Sequence, residues 1–116
     1  MSTPHFFTPE EANRILNEVR SLVGRAVELK VMIDASTGHQ RTKSIDELGV
    51  VISKLEGMGI ELKDVGSGLV DFPASRFGEP VYLCWRLGEK EVEYWHGMTE
   101  GFRGRKSLRP ELTQVR

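Results

Sequence analysis

Apolar residues recur at alternating steps of three and four from Ala12 onward, through Ile15, Val19, Leu22, Ala26, Leu29 and Ile33. That spacing keeps one face of an α-helix apolar over about three heptads. Leu16, Val23 and Val27 widen the stripe beyond the narrow seam of a two-stranded coil. Upstream, Thr8 and Glu11 have capping-box spacing, and Pro9 takes the first helical position, where its missing N–H costs nothing. Ser36-Thr37-Gly38 ends the pattern. One helix is predicted over Pro9–Ala35, about 40 Å long.

The stretch Ser36–Lys43 holds no apolar residue and reads as a surface connection, with His39 in solvent. Ser44 and Glu47 then predict a second capping box. Ile45, Leu48, Val51, Ile52, Leu55 and Met58 share the apolar face of a second helix, and Gly59 closes it in the left-handed conformation. Gly49, inside that helix, costs about 1 kcal/mol relative to alanine, which predicts close packing against the first helix. The second helix is about half as long as the first. The early part of the first stripe, Ile15, Leu16 and Val19, is therefore left without a helical neighbour. The following sheet or a second copy of the chain has to cover it, and the width of the stripe predicts a homodimer.

From residue 57 the pattern changes. Nine of the twelve glycines lie there, and the apolar period drops to two. Leu69–Pro73, Val81–Leu87 and Glu91–His96 read as strands. Ile60–Lys63 alternates but is short, and Val65–Gly68 is a turn. Gly88-Glu89 fits a two-residue type II′ hairpin. That turn would set Arg86 opposite Glu91, Leu83 opposite Tyr94 and Val81 opposite His96. Val81, Leu83, Trp85, Leu87, Val92 and Tyr94 then form the core face. Tyr82, Cys84, Arg86, Glu91, Glu93 and Trp95 form a mixed face, joined by Asp71, while His96 points the other way. The expected fold is α+β, a long antiparallel helical hairpin packed with a small three-stranded antiparallel sheet. It is one domain over residues 1–116, with the hairpin at 8–59, the sheet at 60–97 and a basic Gly/Arg tail at 98–116.

Charge changes this picture only at the end of the chain. The net charge is −1, yet from Gly101 onward five basic residues oppose Glu111 alone. A near-neutral chain argues against nucleic acid as a partner. The single cysteine excludes an intrachain disulfide and a multi-cysteine zinc site, and suits a reducing cytoplasm. No apolar run is long enough for a signal peptide or a membrane span. No cofactor or metal is implied. Cys84 reads as a small packed hydrophobe, since no base is evident beside it.

The strings FTPEEAN, GIELKD, GLVDFPA and VYLCWRLGE, then WH at Trp95–His96 and GFRGR at Gly101–Arg105, resemble the bacterial family called domain of unknown function 2203. The resemblance spans nearly the whole chain. It implies a small bacterial protein of one domain and carries over no activity and no catalytic residues. Three functional expectations follow from the residues themselves, the least of them weak nucleic-acid contact through the basic tail. The first is a non-catalytic interaction or self-association module built on Ile15, Leu16 and Val19. The second is binding or turnover of a small anionic ligand by Asp71, Arg86, Trp95, His96, Arg103 and Arg105, with Asp71, Arg86 and Trp95 on one sheet face, His96 joining at its edge and Arg103 and Arg105 folding back over that edge from the tail. The alternative for that face is an ordinary solvated surface with cross-strand ion pairs.

Overall fold

A computed structural model describes residues 5–108 of the chain; the last eight residues of the predicted basic tail, 109–116, lie outside that range. Two long helices pack with a five-stranded antiparallel sheet. The order is α1 (Pro9–Arg14), α2 (Leu16–Ala35), α3 (Gly38–Gly57), β1 (Glu61–Asp64), β2 (Leu69–Arg76), β3 (Glu79–Arg86), β4 (Tyr94–Gly97), a 3₁₀ turn (Phe102–Gly104) and β5 (Lys106–Ser107). The sheet is a meander in which each strand pairs with the next.

The capping box forms as the spacing requires. Glu11 N–H donates to Thr8 Oγ1 at 3.1 Å, and Thr8 N–H donates to Glu11 Oε1 at 3.0 Å. The long first helix is interrupted once, at Ile15, whose ψ of 5° separates α1 from α2. The second helix differs more from expectation. It begins at Gly38, leaving only Ser36 and Thr37 to join two helices of 20 residues each. Gln40, Arg41 and Lys43 are good helix formers, so this polar stretch extends α3 past the end of the core without needing an apolar face. Ser44 is consequently a buried mid-helix residue that accepts from Gln40 Nε2, and Glu47 forks onto Arg25 of α2 at 2.6 and 2.9 Å. No second capping box exists there. Gly49 has open space where a Cβ would stand and packs against nothing, whereas Gly59 does close the helix at φ 85°.

The glycine that permits close packing is Gly68. A Cβ there would meet Val23 of α2 at 2.9 Å and Leu87 at 2.8 Å. The sheet thus presses onto the first half of α2. Leu16, Val19 and Val23 join Val70, Phe72, Leu83 and Trp85 in one buried cluster, with Ile15 packed against it. The stripe expected to drive self-association is therefore covered by the chain's own sheet. Beyond it, Ala26 and Leu29 pack against Val51 of α3.

Two further strands, β1 and β5, extend the expected three. β2 and β3 meet in a two-residue turn, Phe77-Gly78, with both residues at positive φ (52° and 81°). The Gly88-Glu89 hairpin is absent. Glu89 N–H donates instead to Arg86 O at 2.9 Å, so the turn is centred on Leu87-Gly88, and pairing of β3 with β4 resumes only at Tyr94. Asn13 of α1 serves the intervening loop as a strand would, accepting from Val92 N–H at 2.7 Å and donating to Val92 O at 3.3 Å. The register becomes Cys84 opposite Tyr94, Leu83 opposite Trp95 and Tyr82 opposite His96. It is one residue away from the expected register, which moves every side chain of β4 to the other face.

Candidate functional site

That one-residue difference creates the most chemically loaded part of the molecule. Asp71 on β2 stands opposite Cys84 on β3, and Tyr82 stands opposite His96 on β4, all on the face turned away from the helices. Asp71, Cys84 and His96 are 3, 0 and 2% exposed. His96 Nε2 lies 3.0 and 3.1 Å from the two carboxylate oxygens of Asp71, and Nδ1 lies 2.7 Å from Gly97 O. A carbonyl only accepts, so Nδ1 carries a proton. Nε2 then faces both oxygens of the Asp71 carboxylate. Burial pushes the Asp71 carboxyl above the usual carboxylate range, against the opposing pull of His96.

Burial also pushes the Cys84 thiol up to about 12, with the Asp71 charge adding to it and Arg105 working against it. An unactivated, fully buried thiol is inert toward electrophiles. Arg105 closes the cluster from the 3₁₀ turn. Its guanidinium forks onto Glu89 at 2.6 and 2.7 Å, donates to Cys84 O at 3.2 Å and lies 4.1 Å from the Tyr94 ring centroid. Its Nε is buried without a hydrogen-bond partner. On the other flank, Tyr82 O–H donates to Glu61 at 3.0 Å, and Lys63 pairs with the same carboxylate at 2.8 Å.

Of the six residues expected to hold an anion, the structure joins Asp71 to His96 and sets Arg105 beside them. Arg86 lies 5.1 Å from the Phe102 ring, at an open groove of about 270 Å³ that it shares with Asp64, Ser67 and Leu69. Arg103 is exposed on the 3₁₀ turn. Trp95 sits on the opposite face, packed against the apolar core. The expected Arg86–Glu91 pair is replaced by a bond from the Arg86 amide to Glu89 Oε1. With Arg105 neutralised by Glu89 and a carboxylate in the Arg86 groove, the three arginines do not build one anion site.

Cys84, expected as a small packed residue, is fully buried, and Glu89, expected only as a turn residue, is the member that the sequence pattern did not single out. The bulk of Trp95 was the available signal: placing it on the core side with Leu83 and Trp85 yields the observed register.

A second feature lies at the far end of the β2–β3 hairpin. Phe77 is 91% exposed at φ 52°. Beside it opens a groove of about 400 Å³ lined by Arg76, Phe77, Glu79, Val81 and Trp95. The Arg76 guanidinium lies 5.2 Å from the Phe77 ring centroid and 4.6 Å from that of Trp95.

Residues 5–108 match the family described as an uncharacterised conserved protein, DUF2203. No curated protein and no solved structure matches the chain. The strings GLVDFPA, VYLCWRLGE, WH and GFRGR supply Asp71, Cys84 with Glu89, His96 and Arg105 in turn, so each places a member in the buried cluster. Among the described residues no helix is long and apolar enough to cross a membrane.

Proposed function

The chain belongs to this uncharacterised DUF2203 family, and from that premise we propose that it is a non-catalytic self-association module acting through the tip of its β2–β3 hairpin. Phe77 carries the reading. A two-residue turn with both φ values positive favours Asn-Gly, and a bulky residue in the left-handed region costs about 1–2 kcal/mol. Phe77 bears that cost and leaves its ring in water as well. Strain held at an exposed aromatic is accounted for when a partner covers the ring.

The partner is a second copy. One patch holds a protruding ring, an apolar groove beside it, and the opposite charges of Arg76 and Glu79. A two-fold contact needs such a self-complementary surface, in which each ring enters the other copy's groove. The enclosure of Asp71, Cys84 and His96 supports the non-catalytic half of the reading, since the grooves at Arg86 and Trp95 are lined by none of them.

Sedimentation equilibrium tests it. The wild-type chain at tens of micromolar should weigh twice its 13.1 kDa, and Phe77→Ser should weigh 13.1 kDa. A wild type that stays at the single-chain mass overturns the proposal.

A further inference from the structure

On the polar sheet face, away from the hairpin tip, we infer that Asp71, Cys84 and His96 form a binding site for a tetrahedrally coordinated first-row divalent cation, Zn²⁺ foremost. One carboxylate oxygen, the thiol sulfur and an imidazole nitrogen all lie within 4.8 Å of one another. Ligands on a tetrahedral zinc, at 2.0–2.3 Å from the metal, stand about 3.3–3.8 Å apart. The Asp71–His96 contact of 3.0 Å has to open by a few tenths of an ångström, and the widest separation has to close by about one. The three residues sit on the adjacent hydrogen-bonded strands β2, β3 and β4, so these changes fall to the side chains.

The surroundings fit a metal in three independent ways. First, a metal-ligating histidine usually donates its other N–H to a carbonyl or carboxylate. His96 does so, from Nδ1 to Gly97 O at 2.7 Å, which leaves Nε2, hydrogen-bonded to Asp71, as the ligand atom. Second, the charges balance. A carboxylate from Asp71 and a thiolate from Cys84 together carry the two negative charges that a divalent cation neutralises. The buried site with its cation therefore carries no net charge. Third, the buried Nε of Arg105 has no acceptor, while Nη2 of the same guanidinium donates to the Cys84 carbonyl at 3.2 Å and so stands beside the residue that carries the sulfur. Coordination makes that sulfur a thiolate, a far better acceptor than a thiol.

The donor set chooses the ion. A thiolate and an imidazole select against Mg²⁺ and Ca²⁺, and one sulfur, one nitrogen and one oxygen suit zinc. Three protein ligands leave the fourth position to a water molecule. Because all three side chains are enclosed, the ion enters as the chain folds, and its binding energy contributes to folding.

The test refolds the full chain from denaturant with Zn²⁺, or with Co²⁺ as a spectroscopic substitute. After desalting, the wild type should retain one zinc per chain, and the cobalt form should show a thiolate-to-cobalt charge-transfer band. Cys84→Ser and His96→Gln should weaken zinc binding by more than about 100-fold, and Arg105→Met by about 10–100-fold. The wild-type readouts stand even if a variant fails to fold. No retained zinc, a cobalt spectrum lacking the thiolate band, or equal retention by folded Cys84→Ser would each overturn the inference. Self-association through Phe77 is measured separately and is unaffected by any of these results.

Discussion

The buried cluster and the hairpin tip depart from the usual sorting of polar and apolar groups in opposite directions. Around Asp71 and His96, ionisable side chains are enclosed; at Phe77, a large apolar ring is in water. Buried polar groups and exposed apolar ones are the informative exceptions in a folded chain. The two exceptions are met differently. Inside the cluster Asp71, His96, Tyr82 and Glu89 each have a bonding partner from another part of the chain or from the adjoining backbone, so the cost of burial is offset internally. At the tip, the backbone is strained and the exposed ring is stacked on the Arg76 side chain. A departure that is satisfied from within supports the fold or holds a small ion. One that is not points outward, to a partner.

Breaking the cluster should have the largest effect. Asp71→Leu or His96→Leu alone leaves the other group buried without its partner and should cost about 3–5 kcal/mol in urea unfolding. The double variant should recover more than half of that loss, since an apolar pair of similar volume is often as stable as a buried ionic one. Additive losses would mean that the two side chains do not act as a pair.

The tip should respond with the opposite sign. Phe77→Asn creates an Asn-Gly turn and should raise monomer stability by about 1 kcal/mol while abolishing self-association. A loss of stability would show that the Phe77 ring contributes to the fold of its own chain.

The smallest effect separates the cluster from its latch. Burial alone would raise the Glu89 carboxyl, but the Arg105 fork and the Arg86 amide outweigh it and hold Glu89 below its ordinary 4.5. Folded Glu89 thus binds a proton less readily than the unfolded chain does. Its contribution is fully present above about pH 4.5 and is lost as the pH falls through the lowered value. The stability difference between wild type and Glu89→Gln should be flat from about pH 7 to 5 and shrink from about pH 4.5 to 3. A difference that grows on acidification contradicts the latch.

Much of the fold is written locally. Thr8, Pro9 and Glu11 start the first helix and Gly59 ends the second, because caps act over three or four residues. The core face of β2 and β3 was equally legible from Val70, Phe72, Val81, Leu83 and Trp85. The first turns of α3 were not, since a solvated helix end needs no apolar period. β4 was the costly failure. Gly88 suggests a tight hairpin, and the adjacent aromatics Tyr94 and Trp95 suit either face. The bulk of Trp95 was the one local cue to the observed register, and the loop before β4 is held by Asn13, 79 residues from Val92 in the chain. Asp71 and His96 were both singled out from the sequence, yet on opposite faces. The observed register brings them together.

The functional claim rests on Phe77 of one copy meeting the groove of another. An isotope-filtered NOE experiment on a mixture of labelled and unlabelled chains tests that contact directly. The account predicts intermolecular cross-peaks between the Phe77 ring and the Trp95 indole. Intermolecular peaks from other surfaces with none between these two rings, or no intermolecular peaks at all, would contradict it.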